Sequence, residues 1–436
     1  MIASAAKSSI TRSKNSGTNV YLIRIALSCA FISGLYIETT YGLLFAAYPI
    51  MLSVYALMLL KSASRGIDKN IALIFLSITL ASLLGTVITN GTHSILFSHV
   101  ASEFTKLLLL LFFLIFYQAI YKLCNSSFQE LFAQYLKVST FFASVGIAQE
   151  AIYISTKIDI LQAISPGSKN YEHFLGVAGL SVEPAFFACA LLPGAAYHVS
   201  RFVQSFKISK SGVAIIFAVA ASTSSLGYLG LFLSIAITLL SEFKLRRIGV
   251  LLGTIPIALI FSYQAFSTDF FQTRYNDTLA VLDGTRLTMQ GGMNMSTYSN
   301  AVNTSIALRS FRDNYGVGAG FGAYSSVYDR YIDDYEKPTY RDDIPGRGSA
   351  TSMFARLTAE LGLIGWALIA YAIYALAHNI RSRVMISINI AYLSTFAIIL
   401  LRMGEYYANG VLLVFMAAYL LHKEMKKEVA KGQNKI

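Results

Sequence analysis

The sequence predicts an all-α polytopic membrane protein with about twelve transmembrane helices and one large outer loop. The first observation behind this is composition. Of 436 residues 55% are hydrophobic and only 13% charged, with mean hydropathy +0.56, whereas soluble domains carry about 25% charged residues. The second is run length. Apolar runs of about 17 to 20 residues recur throughout, each able to cross a hydrocarbon core of roughly 30 Å at 1.5 Å per residue. No water in that core can satisfy backbone N–H and C=O groups, so each run must pair its own and be a helix. The third is the placement of charge, which sorts the connections onto two sides.

In chain order, residues 1–20 form a Ser- and Lys-rich tail without an A-x-A cleavage pattern, which reads as cytoplasmic and as part of a signal anchor. Residues 21–266 hold the first nine spans, at 21–37, 41–60, 71–89, 106–122, 137–153, 184–200, 206–225, 226–243 and 248–266. Residues 267–355 form the large loop. Residues 356–422 hold the last three spans, at 356–377, 385–402 and 406–422, and 423–436 is a second cytoplasmic tail. Hydropathy over 206–243 fits either one helix or a hairpin broken at Ser222-Thr223-Ser224-Ser225-Leu226-Gly227. Lys207 and Lys210 precede this stretch and Lys244, Arg246 and Arg247 follow it, so both ends favour the cytoplasm and the number of crossings is even. Twelve spans then place 21 of the 35 basic residues on the cytoplasmic side, both termini among them, and put the loop outside. The net charge of +12 is therefore a topology signal rather than a nucleic-acid surface. Cys29, Cys124 and Cys189 lie in or beside apolar runs with no paired spacing, and read as small buried hydrophobes.

The polar stretch Thr268 to Ser352 holds eight basic residues, seven of them Arg, against ten Asp and Glu. Its Tyr and Phe content argues for folded structure, and connections of this length are either functional or disordered. No H-E-x-x-H, P-loop or G-x-S-x-G pattern occurs in the chain. Gly316-Val317-Gly318-Ala319-Gly320-Phe321-Gly322 matches a dinucleotide loop only as a string, since no strand precedes it. After Tyr315, Gly318 and Gly320 let backbone approach either a ligand or another helix, or make a tight re-entry of the loop. Arg309 and Arg312 share a face if helical, and a planar guanidinium matches phosphate oxygens in two-pronged fashion. Pairing with Asp313 and the other loop acids is the competing reading. Arg286 and the remaining loop arginines are further candidates.

Glu183 precedes Pro184 at the start of an apolar run. A carboxylate there suits the helix dipole, and equally could orient or deprotonate a hydroxyl in a polar cavity. Glu172 and His173 lie upstream in the same outer segment. Arg356, Glu360 and Arg402 sit within or at the edges of spans, where an ionisable group is a functional candidate unless it snorkels to the interface.

Together the multi-span layout with a large late outer loop, Ser181-Val182-Glu183-Pro184-Ala185-Phe186-Phe187-Ala188, the apex at Ser222 to Gly227, the segment Arg309-Ser310-Phe311-Arg312 to Gly320, and Glu360-Leu361-Gly362-Leu363-Ile364-Gly365 resemble the Wzy O-antigen polymerase family, within the O-antigen polymerase and ligase superfamily. The resemblance spans about residues 20 to 422 and lies in the order of short motifs. It implies a GT-C-like fold in the bacterial inner membrane and a glycosyltransferase joining undecaprenyl-pyrophosphate-linked oligosaccharide repeats on the periplasmic face. It further implies that the sugar–pyrophosphate bond supplies the energy, with no cofactor or metal, and that a separate protein regulates chain length. The implied catalytic residues are Glu183, Arg309 and Arg312. Substrate contacts fall to Arg286, Glu172, His173, Tyr315, Gly318, Gly320, Arg356, Glu360 and Arg402. Superfamily members often carry an Arg after Ser at the hairpin apex, where this chain has Ser225. Ligases commonly carry a His before the last-but-two helix, and Ala350-Thr351-Ser352-Met353 has none, which favours a polymerase over a ligase. Charges gathered at the outer rim rather than through the membrane depth count against a flippase.

Overall fold

The computed structural model describes residues 17–39, 42–60, 66–90, 97–171, 173–241, 272, 276, 279, 294–337, 343–381, 385–407 and 410–433. Glu172, Arg286 and the span expected at 248–266 lie outside the described residues. The elements are α1 (Gly17–Ser28), the hairpin β1 (Tyr36–Thr39) and β2 (Gly42–Phe45), α2 (Ala47–Leu60), α3 (Lys69–Asn90), α4 (Phe97–Leu123) and α5 (Phe128–Thr156). A two-residue hairpin, β3 (Lys169–Asn170) with β4 (Leu175–Gly176), leads to α6 (Pro184–Ser205), α7 (Lys210–Ala221) and α8 (Ser225–Ser241). Then come α9 (Met295–Asp313), α10 (Tyr324–Tyr331) with a 3-10 turn, α11 (Met353–Arg381), α12 (Ile386–Arg402) and α13 (Val411–Gln433). Helices α3, α4, α5, α6 and α11 are each long and apolar enough to cross a membrane, while α1, α2, α7, α8 and α12 are apolar but shorter.

The beginning of the chain departs from the expected spans. The run at 21–37 is helical only to Ser28, and 36–45 forms a hairpin in which Tyr36 faces Phe45. The carbonyls and amides left over by this early stop find partners in the segment before α6. The Gly34 N–H donates to the Leu180 carbonyl at 2.7 Å and the Phe31 carbonyl accepts from the Ser181 hydroxyl at 3.4 Å, so these backbone groups remain paired without a helix. Over 206–243 the chain makes two helices, α7 and α8, with a turn at 222–224 where Thr223 has φ +52°.

At the centre, α6 packs against α8, α7 and α12. Small residues allow this closeness: a Cβ on Gly227 would lie 3.1 Å from Ala188 Cβ, and one on Gly230 would meet Leu192. The end of α5 holds the segment before α6 by side chain. Gln149 donates to Asp159 (2.7 Å) and Ser168 (2.9 Å) and accepts from Gly179 N–H (3.1 Å), while Tyr153 donates to Asn170 (2.6 Å). At the opposite ends of the helices Asp68 accepts from Tyr419 (2.8 Å) and from Lys423, and Glu424 accepts from Phe128 N–H at the start of α5 (2.7 Å). Burial alone would raise the Asp68 carboxyl, but these partners hold it below its ordinary value.

Residues 294–337 and 343–352 fold as a cap with its own core of Tyr298, Val302, Ile306, Tyr324, Tyr328 and Ile344. Its polar interior is closed by Asn303, which donates to the Pro345 carbonyl (2.9 Å) and accepts from Tyr324 O–H (2.7 Å). Cap helix α9 lies on α11, so the cap is anchored on the helix that carries the charged residues described next.

Candidate functional site

Helix α11 is interrupted. Gly362 has φ +54° and ψ −129° in the middle of it, a conformation a side chain disfavours, and the run Gly316 to Gly322 is docked into the gap. Leu363 N–H donates to the Gly316 carbonyl (2.8 Å), Ala319 N–H to Ala359 (2.8 Å) and Gly320 N–H to Glu360 (2.9 Å). These bonds replace helical ones lost at the break, as broken membrane helices require. A Cβ on Gly318 would stand 2.6 Å from the Glu360 carbonyl oxygen, and from the other side a Cβ on Gly85 of α3 would stand 2.8 Å from Gly320 N. The close approach that these glycines permit is thus made to the protein's own backbone, between α3 and α11.

This docking gathers a charged cluster. Arg356 and Glu360, one helical turn apart on α11, are 5% and 0% exposed. Arg356 Nε donates to Glu360 Oε1 (3.0 Å). The same oxygen accepts from Tyr324 N–H (3.3 Å) and Oε2 accepts from Tyr406 O–H (2.8 Å). Arg356 Nη1 donates to the Gly404 carbonyl (2.7 Å) and to Glu405 Oε2 (3.4 Å), and the guanidinium lies 4.4 Å over the Tyr406 ring. From α4, Lys106 donates to the Gly322 carbonyl, and Glu103 accepts from Thr86 O–H (2.6 Å).

Removing such ions from water costs several kcal/mol each, and only well-made contacts offset it. Glu360 has both oxygens engaged and no exposure, which makes it an anchor. Glu405 is half-buried and among the described residues makes a single long contact. Burial pushes its carboxyl up and Arg356 pulls it back, leaving it above its ordinary value. Arg356 Nη2 makes no hydrogen bond among the described residues. Glu405, Tyr406 and Lys106 went unnoticed in the sequence, although an acid followed by two tyrosines between two apolar runs is itself a signal.

Directly beside the cluster lies an apolar cavity of about 90 Å³ between α3, α4, α11 and α13, lined by residues including Ile78, Leu114, Leu361 and Phe415. Phe321 and Tyr406, stacked at 4.8 Å, also line it, so charged cluster and cavity share a wall.

The other sequence-predicted residues are placed elsewhere. Arg309 pairs with Asp334 and lies 4.8 Å over the Tyr331 ring, while Arg312, with 77% of its side chain exposed, pairs with Asp313 at 3.2 Å. Tyr315 is 87% exposed. Arg402 donates to the Ser296 carbonyl (2.8 Å) and hydroxyl (2.6 Å), tying α12 to the cap. His173 is exposed, and its carbonyl accepts from Lys157. Glu183 is the N-cap residue of α6, yet its side chain makes no capping bond and has no other partner among the described residues. The structure thus brings Arg356 and Glu360 together and leaves Arg309, Arg312 and Glu183 outside that cluster.

The arginine pair should divide under substitution. Arg312→Ala should change the melting temperature by less than about 1 kcal/mol equivalent, as an exposed ion pair does. Arg309→Ala should loosen the cap, read as faster proteolysis within 294–352. Equal protease resistance of the two variants would contradict this assignment.

Compared with protein-family models, with curated proteins and with solved structures, the chain matches none.

Proposed function

We propose that this protein is a glycosyltransferase of the bacterial inner membrane that joins undecaprenyl-pyrophosphate-linked oligosaccharide repeats into a surface polysaccharide on the periplasmic side. The observation that carries the reading is the shared wall between the Arg356–Glu360–Glu405 cluster and the apolar cavity, under a folded cap. A lipid-linked sugar has one anionic head and one hydrocarbon tail, and this geometry offers each its own environment.

In the transfer, an acceptor hydroxyl attacks the anomeric carbon of the donor sugar. The new C–O bond forms as the bond to the pyrophosphate oxygen breaks, the leaving group keeps the electron pair, and the hydroxyl proton passes to a carboxylate. Within the cluster, Glu405 is the partly exposed carboxylate with an oxygen to spare. Arg356, fixed by Glu360 and the Gly404 carbonyl, has Nη2 left to meet a phosphate oxygen, and a donor that needs no reorganisation at the moment of reaction is worth the most in a site shielded from water. The polyprenyl chain would occupy the cavity and the lipid beside it. A separate chain-length regulator would act on the cap.

A deletion strain examined on a glycan gel tests this. Loss of the ladder with retention of a single-repeat band is expected, restored by the wild-type chain. Loss of all attached glycan would identify a ligase, accumulation of the lipid-linked unit on the cytoplasmic side a flippase, and an unchanged ladder would remove the proposal.

A further inference from the structure

A second region, away from the Arg356 cluster, has the chemistry of a sugar site. The β3–β4 hairpin presents Tyr171 and Phe174 as a stacked pair, with ring centroids 5.2 Å apart and planes 23° from parallel. They are 38% and 42% exposed, an uncommon state for paired rings, whose burial normally contributes to stability. The pair lies on the α7–α8 turn. The edge of the Tyr171 ring (2.9 Å) and the Thr223 hydroxyl (2.7 Å) both stand within 3 Å of the point where a Cβ on Gly176 would be, and Val177 N–H donates to the Ala221 carbonyl at 3.3 Å. Tyr228, 48% exposed, is fixed at the same turn by its O–H donating to the Ala220 carbonyl at 2.8 Å.

Two polar groups here lack partners among the described residues. Ser224 is 7% exposed and its hydroxyl makes no hydrogen bond, though buried polar atoms nearly always have one. Glu183 stands level with it. Ala188 of α6 faces Gly227 of α8, and Leu192 faces Gly230, so the two helices run parallel, and one turn before these contacts come Pro184 and Ser224. A carboxylate folded back on the α6 N-terminus would contribute about 1 kcal/mol as a cap. Glu183 makes no such bond.

We propose that Tyr171, Phe174, Tyr228 and the Ser224 hydroxyl form a binding subsite for a neutral pyranose ring, with Glu183 beside it as acceptor for a sugar hydroxyl. The C–H faces of a pyranose carry slight positive charge and meet the negative faces of aromatic rings, while its hydroxyls can both donate and accept, which suits an unpartnered serine and an uncapped carboxylate. That the sugar belongs to an acceptor glycan rests on the transferase reading. Binding itself does not.

The test is saturation-transfer NMR on the full-length protein in nanodiscs, with a panel of methyl pyranosides of glucose, galactose, mannose, rhamnose and N-acetylglucosamine. At least one is expected to receive saturation at its ring C–H protons. The signal should fall at least fivefold in Tyr171→Ala/Phe174→Ala and severalfold in Glu183→Gln, while Phe141→Ala, an exposed ring on α5, leaves it unchanged. Melting temperature and cap proteolysis are compared in parallel, and Tyr171→Phe, which keeps the stacking face, should retain most of the signal if the double variant is unstable. No transfer to any of the five sugars, or equal transfer in the double variant, overturns the subsite. The glycan gel answers separately. An unchanged ladder in the deletion strain with intact sugar binding would remove the transferase reading alone, and loss of the ladder without sugar binding would remove the subsite alone.

Discussion

Arg356→Met is expected to destabilise the protein by about 3 to 5 kcal/mol, because it leaves the Glu360 carboxylate buried without its counter-ion. Three of the contacts that close the cluster converge on that carboxylate, from Arg356, Tyr324 N–H and Tyr406 O–H, so its repulsion from a dry site would be felt in the cap as well as in α11. Thermal unfolding in a fixed detergent and limited proteolysis of the cap should both report it. The double variant Arg356→Met/Glu360→Gln is expected to regain most of this loss. Both charges are then absent, their desolvation cost disappears with them, and the glutamine oxygen can still accept from Tyr324 N–H while its amide donates to the Tyr406 hydroxyl. If the protein is the transferase proposed above, stability and activity should separate at this point, since the double variant should fold and yet give no glycan ladder. A folded double variant with a full-length ladder would show that the guanidinium is an ion-pair partner only, and would remove it from the transfer site.

Much of the helix content was legible because it depends on local chemistry: apolar runs of sufficient length, and Lys and Arg flanking them. The hairpin at 222–224 could be read from the charges on either side of 206–243. Less legible was the early end of α1, whose cause is a partner far along the chain, the carbonyl of Leu180 bonded to Gly34. The cluster was harder for the same reason. Lys106 and Glu405 belong to it through Gly322 and Arg356, 216 and 49 residues away respectively, and neither has a local pattern that announces a tertiary partner. Arg309 and Arg312 stood out because arginine is dense around them, yet Asp334 and Asp313 lie close enough to pair with both. The alternating glycines were visible as a need for close approach, but spacing alone could not tell a ligand from a broken helix.

That last distinction gives the second large expected effect. Gly362→Ala should detach the glycine run from α11. A Cβ at Gly362 would fall on the Gly316 carbonyl, which already accepts from Leu363 N–H at 2.8 Å, and φ +54° with ψ −129° is a conformation that alanine pays heavily to adopt. Backbone strain of about 1 to 3 kcal/mol together with loss of one or two hydrogen bonds at about 1 kcal/mol each puts the cost near 3 kcal/mol or more. Opening should therefore become about 100-fold more frequent, read as faster hydrogen exchange at the amides of Ala319, Gly320 and Leu363. Gly348→Ala is the matched control, with nothing within 4 Å of its added methyl, and should leave those amides as they are. If Gly362→Ala exchanges at the wild-type rate, the glycine run does not need the break in α11. If exchange rises as expected while the ladder persists, the docked run supports the fold without shaping the site. Exchange and ladder changing together would link the broken helix to the placement of Arg356 and Glu360, which stand just before the break.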